Sequence, residues 1–203
     1  AIEDIGLQMQ FVASEQIENG LLAERRPEIF VLPYSVALSD REVDELRRYV
    51  ESGGTLVADA RCGLMNEHCV TRDSAALDDP FGVTRPTVST REARSPAPIN
   101  FTGRLGACDP TGIKLETMSG ESSVQVRSGT ALGNMDGTPV GIVKRSGQGR
   151  TVLLNLFLDG YPDRRKTGVE APLRQLISQV LRLADVRPTV SVESSEDDHF
   201  YIA

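Results

Sequence analysis

A cysteine with a histidine six residues further along is the pair best suited to covalent chemistry. Cys62 comes soon after a short apolar run, where α/β folds place nucleophiles and ligand-binding groups. A thiolate there, with His68 as its base, would make a cysteine-dependent hydrolase or amidase. Such a site also needs a group that orients the histidine, and the second histidine, His199, has no spacing that identifies a partner. We therefore predict no catalytic residue and keep Cys62 with His68 as the alternative.

Metal and phosphate sites have weaker support in the sequence. Cys62, His68 and Cys69 are possible zinc ligands, but no C-x-x-C pair and no second cluster accompanies them. The Gly-Gln-Gly-Arg segment at 147–150 looks like a phosphate-binding loop, yet it joins two apolar runs instead of opening a helix, so a hairpin turn is predicted. The basic run 164–166 is typical of a solvated face. We predict no metal site and no cofactor.

Charge and composition exclude two classes of partner. The formal net charge is -7 at pH 7, which disfavours nucleic acid, and no apolar run reaches the roughly 18 residues of a membrane span. Three cysteines at no framework spacing and no signal pattern at the start favour reduced thiols and a cytoplasmic location. Because the sequence starts without Met, we interpret it as a piece of a longer polypeptide.

A strand, helix, strand unit is the clearest structural pattern. The run 29–32 is apolar on both faces and lies between two prolines, which predicts a buried strand. Ser39 with Glu42 forms a capping box, and helical periodicity continues to the glycines at 53–54. The next apolar run, 55–58, is a second strand, so a right-handed crossover with parallel strands is expected.

The rest of the chain adds a central strand and a long irregular segment. The run 151–157 is predicted as a central strand in a hairpin with 139–143, and the last helix begins near Pro172 and extends to Ala184. Residues 61–129 have poor periodicity, and their apolar side chains need cover from their own domain or from a partner subunit. These side chains include Phe81, Val83, Ile99 and Phe101. The predicted fold class is α/β, a mostly parallel sheet with helices on both faces.

Six stretches of the sequence carry a family resemblance. They are Phe-Val-Leu-Pro-Tyr at 30–34, Leu-Ser-Asp at 38–40, Val-Glu-Ser-Gly-Gly-Thr-Leu-Val at 50–57, Asp-Ala-Arg at 59–61, Leu-Asp-Asp-Pro-Phe-Gly-Val at 77–83 and Gly-Gln-Gly-Arg-Thr-Val-Leu-Leu-Asn at 147–155. In this order they resemble the middle domain of glycoside hydrolase family 42 β-galactosidases, known as the β-galactosidase trimerisation domain. The resemblance spans about residues 9 to 185.

The resemblance implies a flavodoxin-like fold of the class I glutamine amidotransferase-like kind. That wider family places its nucleophile in a G-x-C-x-G elbow and a His-Pro-Glu sequence after the last central strand. This chain has Ala60 and Leu64 where the elbow has glycines, and 158–163 reads Leu-Asp-Gly-Tyr-Pro-Asp. No catalytic role is therefore carried over to Cys62.

The resemblance also implies the function and the partners. It implies a non-catalytic structural and oligomerisation domain of a larger β-galactosidase-like glycoside hydrolase. This domain would pack beside a catalytic barrel, self-associate with a trimer as the candidate assembly, and line a carbohydrate site. Residues 1–187 would form it, and 188–203 would begin a following β module. A cysteine-dependent amidotransferase-like hydrolase using Cys62 and a stand-alone ligand-binding module are the alternatives.

Overall fold

The computed structural model describes residues 1–86, 88 and 96–188 of the chain. Its helices are a 3₁₀ helix at Glu3–Ile5, α1 Ser14–Glu18, α2 Leu21–Arg25, α3 Asp40–Glu51, α4 Asp78–Phe81, α5 Tyr161–Thr167, α6 Ala171–Leu181 and a 3₁₀ helix at Arg182–Ala184. Its strands are β1 Ile29–Leu32, β2 Thr55–Ala58, β3 Val83–Thr84, β4 Ala97–Phe101, β5 Lys114–Met118, β6 Gln125–Val126, β7 Thr130–Met135, β8 Thr138–Ser146 and β9 Gly149–Leu153. His199 and nearly all of the expected β module 188–203 lie outside the described residues.

One mixed sheet organises the chain. Its seven strands lie in the order β1-β2-β9-β8-β7-β4-β5, and β3 pairs with β6 in a separate ribbon. The strands β1, β2 and β9 are parallel, with Val31 beside Val57 and Val57 beside Val152. The three strands identified most clearly from the sequence are therefore neighbours in a single sheet. Their carboxyl ends meet at one edge.

The expectation of a mostly parallel sheet requires correction. The four pairings among β9, β8, β7, β4 and β5 are all antiparallel. Turns at Asp136-Gly137 and Gly147-Gln148 join β7 to β8 and β8 to β9, and connections this short permit only antiparallel neighbours. The segment between residues 61 and 129, expected to be an irregular excursion with short strands, contributes β4 and β5 to this half.

Helix α3 forms where the sequence predicts it and ends against a required glycine. The hydroxyl of Ser39 accepts from the Glu42 amide, and the Glu42 carboxylate accepts from the Ser39 amide at 2.8 Å, so the predicted capping box is present. After the helix, a Cβ on Gly54 would lie 2.2 Å from the Tyr49 ring. The tight return into β2 therefore needs glycine at this position.

Helices cover both faces of the parallel strands, as expected. Val57 and Val152 belong to a core cluster that includes residues of α6, whereas their neighbours Leu56 and Leu153 belong to a second cluster that includes residues of α3. Alternate residues of a strand point to opposite faces, so the two clusters lie on the two sides of the sheet. No helix among the described residues is long and apolar enough to cross a membrane.

Four apolar residues of the 61–129 segment, for which the sequence left the source of cover open, are covered by their own domain. Phe81, Val83, Ile99 and Phe101 are each at most 2% exposed within the single chain. The sequence left open that a partner subunit covers these four side chains, and the structure shows instead that the chain itself buries them. Other large apolar side chains remain exposed, including Phe11 at 90% and, within this segment, Val70 at 59%.

Candidate functional site

The carboxyl ends of the three parallel strands are followed by residues in the left-handed conformation. Tyr34 follows β1, Arg61 follows β2 and Asn155 follows β9, with φ values of 46°, 64° and 54°. Such conformations cost about 1–3 kcal/mol for a residue other than glycine and concentrate at functional sites. In open α/β sheets, ligands also bind outside the carboxyl ends of the strands. We define the carboxyl-edge cluster as the side chains gathered here: Tyr34, Asp59, Arg61, Glu121, Asn155 and Phe157.

Asp59 is the first residue after β2 and is only 5% exposed. Its Oδ1 accepts a hydrogen bond from the Tyr34 amide at 2.8 Å, which holds the left-handed turn after β1. Burial raises the pKa of Asp59 to about 7, against partial opposition from its backbone hydrogen bonds. The nearby carboxylates of Asp159 and Glu121 raise the pKa further. Asp59 therefore titrates near neutral pH.

Glu121 joins the loop after β5 to the turns after β2 and β9. The Asn155 side chain receives a hydrogen bond from the Glu121 amide at 3.1 Å and donates one to the Glu121 carbonyl at 3.1 Å. The loop approaches so closely that a Cβ on Gly120 would lie 2.2 Å from the Asn155 carbonyl oxygen. The Glu121 carboxylate accepts from the Arg61 amide at 2.7 Å and thereby holds the strained turn after β2.

A buried guanidinium joins this carboxylate to a second one. Arg85, whose side chain is 1% exposed, contacts Glu121 at 3.2 Å and also donates to Asp78. Burial raises the pKa of Asp78, and the positive charge of Arg85 opposes that rise. The triad of Asp78, Arg85 and Glu121 is therefore a buried ion network. It fixes the Glu121 carboxylate that holds Arg61.

An aromatic surface lies next to the buried carboxylates. The Tyr34 and Phe157 ring centroids are 6.2 Å apart, and the Arg61 guanidinium lies 5.1 Å above the Phe157 ring. Tyr34 is 49% exposed, whereas Phe157 is 5% exposed. An exposed aromatic ring beside a guanidinium can bind a ligand through its apolar face and its hydrogen-bond donors.

Substitution of Asp59 tests the electrostatics of the cluster. The folded-state pKa is raised from 3.8 to about 7, so the stability contributed by protonated Asp59 is present below about pH 3.8 and is lost as pH rises through about 7. We expect Asp59→Asn to be more stable than the wild type at about pH 8, by roughly 1 kcal/mol, because removing the buried charge outweighs an added unpaired amide. Urea unfolding at about pH 5 and pH 8 measures this difference. A larger advantage at the lower pH would contradict it.

The structure places Cys62 and His68 in different environments. Cys62 is 1% exposed and belongs to the core cluster beside α3, whereas the His68 side chain is 78% exposed and lies 3.7 Å from Glu67. Burial raises the pKa of the Cys62 thiol, the opposite of what an activated nucleophile needs. Among the described residues, no hydrogen bond joins the two side chains. The absence of a catalytic role remains a prediction.

The other sequence-predicted features are placed as follows. Cys69 is exposed, whereas Cys62 is buried. In residues 1–86, 88 and 96–188, no group of three or more His, Cys, Asp or Glu side chains is arranged to hold a metal ion. The absence of a bound metal stays a prediction. The 147–150 loop is the β8–β9 turn, as predicted. Within the basic run, Arg165 lies 3.3 Å from Asp4 and Lys166 lies 3.1 Å from Asp163.

Two of the central residues were not identified from the sequence. Asp59, Arg61, Asp78 and Asn155 fall within the stretches that carry the family resemblance, but Arg85 and Glu121 do not. Both lie in a segment without clear periodicity. Arg85 follows the short strand β3, and Glu121 follows a glycine, and these positions alone do not distinguish them from solvated charges.

Comparison with known proteins identifies relatives by fold. No protein-family model and no curated protein sequence matches the chain. The solved structure of a β-galactosidase from Bacillus circulans sp. alkalophilus superposes with a TM-score of 0.68 at 15% identity, over 93% of this chain and 26% of that one. A GH42 β-galactosidase from G. stearothermophilus gives a TM-score of 0.65 at 15% identity, over 95% and 26%. The chain thus spans about a quarter of these enzymes.

A smaller protein has a similar fold. A structure titled as a cytoplasmic protein from Salmonella typhimurium LT2 superposes with a TM-score of 0.58 at 10% identity. The match covers 88% of this chain and 82% of that one. The fold therefore occurs as a segment of long β-galactosidase chains and as most of a shorter chain.

Proposed function

We propose that this chain is a non-catalytic structural and oligomerisation domain of a larger β-galactosidase-like glycoside hydrolase. The observation that carries the proposal is the superposition of nearly the whole chain on about a quarter of the Bacillus circulans β-galactosidase. A domain of this size beside a catalytic barrel would leave the sugar chemistry to the barrel.

The environment of Cys62 supports the non-catalytic part of the proposal. A cysteine hydrolase needs an accessible thiolate with a base in hydrogen-bond reach. Cys62 is buried, its thiol pKa is raised, and His68 is exposed to solvent without a bond to it. These observations disfavour the cysteine-dependent alternative.

The carboxyl-edge cluster is the part of the domain that we propose to line a carbohydrate site. Tyr34 offers an exposed ring, and Arg61 lies beside it over Phe157. The buried groups Asp59 and Glu121 hold the two turns that present these side chains. In this proposal the edge contributes a wall, and the reacting groups belong to another domain.

The finer assignments of fold and location are part of the same proposal. We assign the parallel half of the sheet, with its crossover helix α3, to the flavodoxin-like and class I glutamine amidotransferase-like kind. Residues 1–187 would be this domain and 188–203 the start of a β module. A cytoplasmic location is supported by three free cysteines, Cys62, Cys69 and Cys108.

A stand-alone ligand-binding module is the second candidate. The specific observation in its favour is the Salmonella protein, because this fold makes up 82% of that chain. The two candidates differ in what else the polypeptide contains. Sequencing the complete reading frame separates them, because only the first requires a barrel domain in the same polypeptide.

Self-association is tested on the intact polypeptide. Phe11, Val70 and Val169 are 90%, 59% and 53% exposed, so each is available to a neighbouring subunit. We expect Phe11→Asp, Val70→Asp or Val169→Asp to lower the oligomer mass in light scattering, because a charge at a subunit contact opposes association. The far-ultraviolet circular dichroism should be unchanged, since these side chains contribute little to the core.

The control for these variants is Asp136→Asn, an exposed position in the β7–β8 turn. It should leave both the mass and the fold unchanged. Unchanged mass in all three charged variants would contradict self-association through the exposed apolar side chains of this domain.

A further inference from the structure

A polar cavity of about 450 Å³ has a lining different from the carboxyl-edge cluster, although Arg85 in its wall contacts Glu121 of the cluster. It is bounded by α3, the segment before α4, the strand β3 and Arg127 after β6, and none of its lining residues belongs to the cluster. Its volume falls within the range of small-molecule sites, roughly 300–1,000 Å³. The cavity is therefore large enough for a small ligand.

The charges that line the cavity cancel. Four arginines and four aspartates surround it: Arg47, Arg72, Arg85, Arg127, Asp40, Asp44, Asp78 and Asp79. Their formal sum is zero at neutral pH. A cavity with no net charge gives no general preference to an anion or to a cation.

Most of these charges are also paired locally. Arg72 lies 2.7 Å from Asp40, Arg47 lies 4.0 Å from Asp44, and Arg85 is bound to Asp78. Each pair presents a dipole to a ligand instead of an isolated charge. A zwitterion would need a separated positive and negative pole, and the two charged groups of the lining without an ion pair among the described residues, Arg127 and Asp79, are exposed, so water screens their charges.

Hydrogen-bonding groups remain available beside the pairs. Arg127 and Asp79 have no ion-pair partner in the described part of the chain, and Ser74 and Thr84 add hydroxyl groups to the lining. The Nε atoms of Arg72 and Arg85 also lack an acceptor among the described residues, but both atoms are buried from solvent, so the exposed groups are the ones that a ligand can reach.

The cavity lining offers both hydrogen-bond donors and hydrogen-bond acceptors, so it suits a ligand group that can both donate and accept hydrogen bonds. A hydroxyl donates one hydrogen bond and accepts others, so it can bridge an arginine and an aspartate. We propose that this cavity binds a neutral polyhydroxylated ligand of about monosaccharide size. This inference rests on the lining of the cavity alone and stands whether or not the chain belongs to a glycoside hydrolase.

The experiment is a titration of the ¹⁵N-labelled 203-residue chain with D-galactose, followed by amide chemical shifts. We expect saturable shifts in residues 74–79, in Thr84 and in Arg127, with a dissociation constant in the millimolar range. Inorganic phosphate and glycine, titrated in parallel, represent an anion and a zwitterion. Neither should produce saturable shifts at these residues.

Two exposed lining residues provide the variants, because substitution of buried Arg85 would disturb the fold. Asp79→Asn and Arg127→Gln should each weaken galactose binding by about threefold or more. The control Asp136→Asn, outside the cavity, should bind as the wild type does. No saturable shift at about 50 mM galactose, tighter binding of phosphate or glycine, or unchanged affinity in both variants would overturn the inference.

Discussion

Arg85→Met is expected to lower the free energy of unfolding by about 3–5 kcal/mol. The substitution removes the cation that lies between Asp78 and Glu121 and leaves two buried carboxyl groups facing each other. The desolvation of these carboxylates is then uncompensated. The loss in the free energy of unfolding should be larger at pH 8 than at pH 5, because protonation at the lower pH neutralises the buried carboxylates. Urea unfolding at both values measures the effect.

Arg127→Met is the matched control for this prediction. Arg127 also lines the polar cavity but is exposed and has no ion pair among the residues that the structure describes. Its replacement should change stability by no more than about 0.5 kcal/mol. A similar small loss for Arg85→Met would show that the buried ion network does not hold the carboxyl edge.

Leu154→Ala is expected to cost about 2–5 kcal/mol. Leu154 is 4% exposed and packs in the core cluster that includes α6, so truncation removes buried contacts and leaves a cavity. Leu105→Ala, at 36% exposure, is the control and should cost much less. Equal losses in the two variants would mean that the chain after β9 is not part of the core.

The central strands and α3 were predictable because local patterns specify them. The apolar runs 29–32 and 55–58 needed no distant information, and Ser39 with Glu42 marked the start of α3 in the sequence itself. Leu154, which lies within the predicted central strand 151–157, is buried, at 4% exposure. The predicted strand 151–157 was too long, because β9 ends at Leu153 and the chain turns at Asn155 with a positive φ.

Apart from the predicted hairpin of β8 and β9, the antiparallel half and the ion network could not be predicted in the same way. Strand β5 lacks an alternating pattern, and β4 alternates over only five residues that include Pro98, so both depend on pairing, of β5 with β4 and of β4 with β7. The partners in the ion network are distant in sequence, since Glu121 contacts residues 36 and 60 positions away. A charge in a loop has no local signal that it will be buried.

An activity assay tests most directly the proposal that this domain has no catalytic centre of its own. The purified chain and its Cys62→Ser variant are incubated with a chromogenic β-galactoside and, separately, with glutamine. We predict no turnover above buffer for either protein, because Cys62 is buried, burial raises the pKa of its thiol, and His68 is exposed to solvent without a hydrogen bond to it. Turnover by the wild-type chain that disappears in a correctly folded Cys62→Ser variant would contradict it.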